Sequence, residues 1–353
     1  MASIKDVALK AGVSISTVSR VMNNSKNVSP ELAQKVQNAV EELEYSANLA
    51  AHSLRSIRSR LIAVVVTSFS RPFFTGILEG INAAAAENGY TILLAETHDS
   101  LPDEIKIVNE FESRCVDGII LASSAYGKDQ RTLKYIQSLE RLQKKGMPIP
   151  LVTLEYAFEN TDISAVVVDN VKSSYDAVTY LLRDLGRRNV LHISLPKQHF
   201  LGQQRVEGYK KALRDFGIPV RKKYIREGDY STYSGYHIMN EMLQAGEKID
   251  AVFCANDQMA VGAVLACNEN SVSIPDEIAI VGNDDIFAAS LVRPSLTSIR
   301  VPRYDIGTAA MSVLLEAIEE GIPKRQIVTL PTQIVKRGTT VKDYQNDLKN
   351  LIW

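Results

Sequence analysis

The apolar and polar positions of the chain form two different patterns. Residues 1–45 contain short helical patterns without strands, whereas from Leu61 onward apolar runs of four to seven residues alternate with amphipathic helical stretches. The predicted strands are Leu61–Thr67, Thr91–Ala95, Gly118–Ala122, Pro150–Leu154, Ala165–Val168, Val190–Leu195, Ala251–Ala255 and Ile278–Gly282. The predicted helices between them include Gly76–Asn88, Asp103–Cys115, Lys172–Leu185, Gln203–Phe216, Tyr233–Ala245 and Gln258–Asn270. Continuous Val, Ile and Leu strands that alternate with helices are typical of parallel sheets, so either one barrel or two open sheets fit this body.

The first 45 residues predict three short helices. Ser3 and Asp6 have the spacing of a capping box, and Gly12 supplies the positive φ that ends the first helix. Ser14 caps a second helix that runs to about Met22. A third helix begins at Ser29-Pro30, and its apolar face is Leu32, Val36, Ala39, Val40 and Leu43. Two short helices joined by a tight turn have the geometry that places the second helix in the major groove of DNA.

The polar face of the second helix favours DNA over a protein partner. It carries only hydrogen-bond donors and no acidic residue: Ser14, Ser16, Thr17, Ser19 and Arg20. Ile15 is apolar and predicted to be exposed, and it can lie against a thymine methyl group. From the pattern alone, a generic three-helix bundle that binds a protein remains the alternative.

Composition and charge support a globular protein with a basic head. The 353 residues are 45% hydrophobic and 23% charged, which excludes a disordered, fibrous or coiled-coil chain and predicts two or three domains. The first 60 residues carry eight basic and five acidic residues, a net charge of +3 that leaves −4 for the remainder. A basic head on an acidic body is typical of a nucleic-acid-binding appendage.

The cysteines and the termini give no sign of a metal, a disulfide or a membrane. Cys115, Cys254 and Cys267 are widely spaced in apolar surroundings, so they are predicted to be buried thiols. The N-terminus has no apolar signal region and no run of 18 apolar residues occurs, so we expect a soluble, cytoplasmic protein.

The sequence of the head resembles that of the lactose/galactose repressor family. The resemblance rests on Ile4-Lys5-Asp6-Val7-Ala8, Ala11-Gly12-Val13-Ser14, Thr17-Val18-Ser19-Arg20-Val21, Asn23, Val28-Ser29, Leu43-Glu44-Tyr45, Asn48, Ala51 and Leu54. The body continues it with Val116-Asp117-Gly118-Ile119-Ile120, Asp169-Asn170, Gly208-Tyr209, Ala255-Asn256-Asp257-Gln258-Met259-Ala260 and Pro294-Ser295-Leu296-Thr297-Ser298-Ile299. It covers essentially residues 3–340.

The resemblance implies a homodimer that binds double-stranded operator DNA, with a helix-turn-helix head and a periplasmic-binding-protein-like body of two α/β subdomains joined by three crossing strands. The expected domains are 1–46 for the head, 47–60 for a hinge, 61–340 for the effector-binding body and 341–353 for a C-terminal tail. Within the body we expect a first subdomain of about 61–164 plus 296–321, and a second of about 165–294 plus 327–336. Beyond Val341 the leucine heptads of a tetramerising coiled coil are absent, which favours a dimer.

The resemblance implies that the hinge becomes helical only on operator DNA, in the dimer. An isolated helix as short as residues 47–56 is unstable in water, and by pattern alone this segment is equally a plain linker. The resemblance makes Leu54 the wedge in the central minor-groove step, with Ala51 and Arg55 beside it. One departure is Ala47, where the family commonly has proline. The DNA-binding candidates are therefore Ser14, Ile15, Ser16, Thr17, Ser19, Arg20, Asn23, Ala51, Leu54 and Arg55.

Ligands of open α/β sheets bind beyond the carboxyl ends of the strands. Arg205 is predicted near the start of a helix, where the dipole disfavours a cation, so a functional reason is expected. The resemblance assigns effector contacts to the positions of Asp169, Arg205, Asn256 and Asp284. The full candidate set is Phe73, Phe74, Asp169, His199, Arg205, Tyr230, Asn256 and Asp284. The alternatives are a hydrophobic cap for the aromatic residues and helix caps for Asp257 and Asp285.

Enzyme and transport functions lack their sequence features. No phosphate-binding, dinucleotide-binding, metalloprotease or hydrolase motif occurs, the five histidines have no metal spacing, and no cofactor is expected. The alternative of a transport-associated sugar-binding protein would share this body, but it would need a signal peptide and no DNA-binding head. We therefore predict a DNA-binding transcription regulator, a repressor, that responds to a small, sugar-like metabolite. A global catabolite regulator with a phosphoprotein co-effector is the alternative.

Overall fold

The computed structural model describes residues 2–22, 28–43, 58–127, 129–321 and 324–345. The chain forms two compact units, Met1–Ser59 and Arg60–Trp353. The predictions for Asn23, Ala51, Leu54 and Arg55, and for most of the hinge and tail, concern residues that lie outside the described ranges.

The head has the three helices that the sequence predicts: α1 (Ile4–Ala11), α2 (Ile15–Met22) and α3 (Pro30–Glu42). The Asp6 carboxylate accepts hydrogen bonds from the backbone N–H and the hydroxyl of Ser3, at 2.7 and 2.8 Å, which lowers the pKa of Asp6. Gly12 ends α1 with φ +65°. The capping box and the glycine stop are therefore confirmed.

The core of the head is formed mainly by Val7, Val18 and Val36, one from each helix and all fully buried. Two details differ from the prediction. Leu32, in the first turn of α3, is 37% exposed rather than part of the core. Ser29 precedes α3 at the cap position, but its side chain makes no capping hydrogen bond.

The body contains α/β units throughout. Its strands are β1 (Leu61–Val66), β2 (Thr91–Glu96), β3 (Gly118–Leu121), β4 (Gln143–Lys144), β5 (Met147–Pro148), β6 (Leu151–Leu154), β7 (Ser164–Val168), β8 (Val190–Ser194), β9 (Ile225–Glu227), β10 (Ala251–Cys254), β11 (Ala279–Asp284), β12 (Thr297–Arg300), β13 (Ile327–Leu330) and β14 (Gln333–Val335). Its α-helices are α4 (Pro72–Glu87), α5 (Leu101–Ser113), α6 (Gln130–Leu139), α7 (Asn170–Thr179), α8 (Phe200–Asp215), α9 (Thr232–Gln244), α10 (Asp257–Glu269), α11 (Phe287–Leu291) and α12 (Arg303–Glu320). A π-helical turn, Tyr180–Asp184, continues α7.

The strands form two open sheets, which excludes the single barrel. The first lobe has the order β13-β7-β6-β3-β1-β2 and is parallel throughout. The second lobe has the order β14-β12-β11-β10-β8-β9 and is parallel except for β14. The carboxyl ends of the parallel strands in each sheet therefore form one edge, where a ligand site is expected.

The chain passes between the lobes three times, after β7, after β12 and between β13 and β14. Each passage lies one strand later than we expected from the sequence. β7 and β13 belong to the first sheet and β12 to the second, whereas the predicted boundaries placed them in the opposite subdomains. The reason is that each strand pairs in the lobe that it leaves, as β7 pairs with β6, before the chain passes on.

The cysteines are free thiols: Cys254 and Cys267 are buried as predicted, while Cys115 is partly exposed. No described helix is long and apolar enough to cross a membrane.

Candidate functional site

The first turn of α2 presents a chain of hydroxyl groups. The Ser14 hydroxyl accepts from the Thr17 backbone N–H at 3.2 Å, which confirms the predicted cap. Ser14 Oγ also lies 2.7 Å from Ser16 Oγ and 2.9 Å from Thr17 Oγ1. Ser14 and Ser16 are exposed, and a hydroxyl network of this kind can donate to phosphate oxygens without losing the helix cap.

The rest of α2 is also suited to DNA. Ile15 is 41% exposed although it is apolar, and Arg20 is exposed near the carboxyl end of the helix. Ser19 is partly buried. No carboxylate occurs in α2, so nothing on this helix repels a phosphate backbone.

In the body, the carboxyl edges of the two sheets face each other across an interlobe cleft. The remaining space is small, about 30 Å³, because the two lobes are closed on each other. It is lined by Arg71, Phe73, Phe74, Glu155, Leu195, Leu201, Arg205, Tyr230, Asn256, Gln258 and Asp284. Residues from both lobes therefore line the same small cavity.

Arg205 lies at the centre of the cleft and is 5% exposed. Its Nε donates to Asn170 Oδ1 at 3.1 Å, and its Nη1 donates to the backbone carbonyl of Ala255. Its Nη2 lies 4.0 Å from Asp284 Oδ1. Because α8 begins at Phe200, Arg205 lies in the second turn of the helix rather than at its start. The helix-dipole argument for Arg205 was wrong, but the guanidinium is a buried donor in the cleft.

Two carboxylates face this guanidinium from opposite lobes. Burial raises the pKa of Asp284 to about 6, although Arg205 and the Asn283 side chain oppose the shift. Burial raises the pKa of Glu155 to about 7, against the opposing effects of Arg71 and Arg205. At neutral pH the pair is therefore able to both accept and donate hydrogen bonds, which suits hydroxyl groups of a ligand.

The lobes are joined across the cleft by aromatic and charged contacts. The Arg71 guanidinium, which also forms an ion pair with Asp99, lies 3.7 Å from the centre of the Tyr230 ring. The ring of Tyr126 lies 4.1 Å from that of His199. Arg71, Asp99 and Tyr126 belong to the first lobe, and Tyr230 and His199 to the second, so these contacts stabilise closure.

The second-lobe partners of these contacts hold one another. The Tyr230 hydroxyl and His199 Nδ1 are 2.7 Å apart, and Asn256 Nδ2 donates to the Tyr230 carbonyl at 3.0 Å. Asn256 Oδ1 also accepts from the Met259 N–H and so caps α10. Burial lowers the pKa of His199 to about 4, so the ring is neutral at physiological pH.

The structure brings most of the predicted effector residues to this cleft. Phe73 and Phe74 both line it, although Phe74 is only 2% exposed and also belongs to the first-lobe core. Asp169 is exposed and caps α7 by accepting from the Lys172 N–H at 2.8 Å, and its neighbour Asn170 reaches Arg205 instead.

The helix-cap alternative for Asp257 and Asp285 is not what the structure shows. Asp257 is fully buried, and its carboxylate accepts from the Ile286 N–H and the Ser298 hydroxyl at 2.8 and 2.5 Å. The Asp285 carboxylate pairs with Arg300 and Arg337, each at 2.7 Å. Both residues therefore fix the loop that directly follows Asp284, the last residue of β11.

Sequence reasoning missed Arg71, Glu155 and Asn170. Glu155 directly follows β6, so the strand-end rule was sufficient to find it. Arg71 lies in the segment after β1 that was considered only for its aromatic residues.

Comparison with known proteins gives the same division of the chain. The model for bacterial regulatory proteins of the lacI family matches residues 3–48, and the model for periplasmic binding proteins and the sugar binding domain of the LacI family matches residues 59–337. Catabolite control protein A of Priestia megaterium is 33% identical over 96% of this chain and 99% of its own length. The transcriptional repressor PurR of Erwinia tasmaniensis is 30% identical, over 98% of this chain and 99% of its own.

Solved structures of transcription regulators resemble this chain over nearly its whole length. A lac repressor dimer bound to operator and the anti-inducer ONPF has a TM-score of 0.84 at 27% identity, over 96% of this chain and 99% of that one. A complex of the transcriptional regulator CelR with cellobiose has a TM-score of 0.70 at 28% identity, over 96% and 100%. The chain therefore belongs to the LacI family of bacterial regulatory proteins: it is a DNA-binding transcription regulator with a small-molecule effector domain.

Proposed function

We propose that this protein is a repressor that binds a pseudo-palindromic operator as a homodimer and releases or tightens that binding when a sugar-like metabolite enters the interlobe cleft. The observation that carries the proposal is the buried Arg205, with Asp284 and Asn170 beside it, at the point where both lobes meet. Its relatives are transcription regulators, and an operator-binding role places the protein in the cytoplasm with the DNA.

The DNA contacts are assigned to α2 and the hinge. Arg20 and the hydroxyl residues of α2 face the major groove, and Ile15 lies against a thymine methyl group. Leu54, with Ala51 and Arg55, enters the minor groove, and Asn23 contacts the backbone at the end of α2. A rigid helix supplies the base contacts, which gives specificity.

The effector contacts are assigned to the cleft, and its chemistry favours a polyhydroxylated ligand. Arg205, Asn256, Asp284 and Glu155 offer donors and acceptors in fixed directions, while Phe73 provides an apolar surface. Tyr230 and His199 form the second-lobe wall beside them. A ligand that touches both lobes favours one relative orientation, and it shifts the equilibrium only by its differential affinity for the two states.

A catabolite-type regulator remains the second candidate, because catabolite control protein A is among the relatives with full-length coverage. In that case a protein co-effector, rather than the metabolite alone, would set the operator affinity. Operator binding that responds to a purified phosphoprotein without any sugar would favour this candidate.

Two experiments test the proposal. Selection from random double-stranded DNA with the full-length protein should enrich sequences with two inverted half-sites. A thermal-shift screen of sugars, sugar phosphates and purines should identify a ligand that stabilises the wild type and does not stabilise Arg205→Ala. Enrichment of asymmetric sites, or equal stabilisation of both proteins, would contradict the assignment.

A further inference from the structure

A second, larger space lies on the outer side of the second lobe, between α8 and the edge strand β9. Its volume is about 510 Å³, compared with about 30 Å³ in the closed cleft. Its floor is apolar and consists of Leu195, Val206, Val220 and Ile225. Leu195 is buried and the other three are half-buried, so Val206, Val220 and Ile225 offer the exposed apolar surface. We call this space the outer groove.

The rim of the outer groove is basic. Lys197, Lys210 and Lys222 line it, and Glu227 is the carboxylate among the lining residues. Lys197 lies 3.5 Å from Glu227, so these two charges balance each other. Within the part of the chain that the structure describes, no carboxylate lies within ion-pair distance of Lys210 or Lys222. The groove therefore combines an apolar floor with two cations whose charge is not balanced locally.

We infer that the outer groove is a second binding site, separate from the effector cleft, for a small amphiphilic organic anion. Such a ligand places a ring or short apolar chain on the floor and a carboxylate, sulfonate or phosphate group between Lys210 and Lys222. The volume is that of a small-molecule site, and apolar burial with a few placed charges is how such sites achieve affinity. Charge complementarity selects an anion over a neutral ligand of the same shape.

The position of the outer groove links it to the cleft. Leu195 lines both spaces, so the two spaces share one residue of their boundary. Helix α8 presents Gln203, Val206 and Lys210 to the groove, and Arg205 to the cleft. A Cβ at Gly202 would lie only 3.1 Å from Leu195 Cβ, so the first turn of α8 packs directly on Leu195. A test of the groove must therefore distinguish it from the cleft.

The test uses 8-anilinonaphthalene-1-sulfonate as an amphiphilic anionic probe and the full-length protein. Titration by calorimetry and fluorescence should give one site in the wild type. The double variant Lys210→Glu/Lys222→Glu should weaken it about tenfold or more, because both charges are reversed. The matched control Lys134→Glu, an exposed lysine on α6, should change the affinity less than twofold. The uncharged analogue N-phenyl-1-naphthylamine should bind about tenfold more weakly than the sulfonate.

Arg205→Ala separates the two spaces, since it should leave probe affinity within about twofold of wild type. Circular dichroism confirms that each variant is folded. Equal affinity in the double variant and Lys134→Glu would overturn the inference. So would loss of the probe in Arg205→Ala, which would place it in the cleft. A change of oligomeric state caused by the lysine reversals would also overturn it, because the groove would then be covered by a second copy of the chain.

Discussion

The Arg71 guanidinium stacks on the Tyr230 ring at 3.7 Å, and this pair joins the two lobes directly across the cleft. Tyr230 is held in place by His199 and Asn256, while Arg71 is held by Asp99 and by Thr67, whose hydroxyl it reaches at 2.9 Å. The contact therefore holds the two lobes in the closed arrangement, and both of its residues line the proposed effector site.

Arg71→Ala should weaken effector binding by about 2- to 30-fold, because a cation–π contact contributes about 0.5–2 kcal/mol, depending on how far it is desolvated. The effect should be mainly on the dissociation rate, since the contact forms after the lobes close. Stopped-flow and calorimetric titration measure it. Arg114→Ala, which removes an exposed partner of Glu110, is the matched control. An unchanged dissociation rate would show that the stacking does not hold the closed form.

Glu155 gives the body a defined pH dependence. The pKa of Glu155 in the folded protein, about 7, lies above its ordinary value of 4.5. On acidification the folded protein therefore binds this proton at a higher pH than the unfolded chain does, and it gains stability as pH falls through 7. His199 and the fully buried His192 have the opposite sign: burial lowers the pKa of each to about 4, so each loses stability as pH falls through 6.5. Between pH 8 and 6.5 Glu155 contributes a gain of up to about 1 kcal/mol, which the loss at the two histidines opposes.

Glu155→Gln should remove this contribution. Thermal unfolding at pH 8 and pH 6.5 should show that the wild type gains about 2 °C more than the variant on acidification. Asp284, whose pKa is raised to about 6, adds a smaller gain that both proteins share. Parallel pH profiles for the two proteins would mean that Glu155 is solvated in solution.

More of the fold than of the cleft could be predicted from the sequence. Every strand predicted from an apolar run is present, because buried parallel strands must be apolar on both faces. The passages between the lobes were displaced by one strand, since local pattern does not say with which sheet β7 or β12 pairs. Arg205 and Asp284 follow from the strand-end rule and the family pattern. The stacking of Arg71 on Tyr230 joins residues far apart in the chain, and no spacing rule predicts it.

A separate prediction concerns Arg20 on the second helix of the head. Arg20→Ala should weaken operator binding by about 1–3 kcal/mol and relax specificity at one position, if Arg20 contacts a base. Fluorescence anisotropy with operator and random duplexes measures both effects. Lys10→Ala is the matched control, because Lys10 lies on α1 and pairs with Glu42 at 2.7 Å. Equal losses on operator and random DNA would reassign Arg20 to a phosphate.

Asp117 and Lys144 form a buried ion pair where the body begins. One Asp117 oxygen accepts from Lys144, and the other accepts from the backbone N–H of Arg60 at 2.9 Å. Lys144→Met leaves a buried carboxylate unpaired, so it should cost about 3–5 kcal/mol in unfolding free energy. Urea unfolding should show that Asp117→Asn/Lys144→Met costs less than the sum of the single variants. Additive losses would show that the two side chains act independently.

The central claim is that a ligand in the cleft controls operator binding through Arg205. Arg205→Ala removes a buried charged donor, so it should cost about 1.5–3 kcal/mol in effector affinity and leave operator affinity without effector near the wild-type value. The direct measurement is operator affinity, with and without the metabolite found by thermal shift, for the wild type and Arg205→Ala. The account predicts a large change in the wild type and none in the variant at the same concentration. A wild-type operator affinity that the bound metabolite leaves unchanged, or an equal response in both proteins, would contradict it.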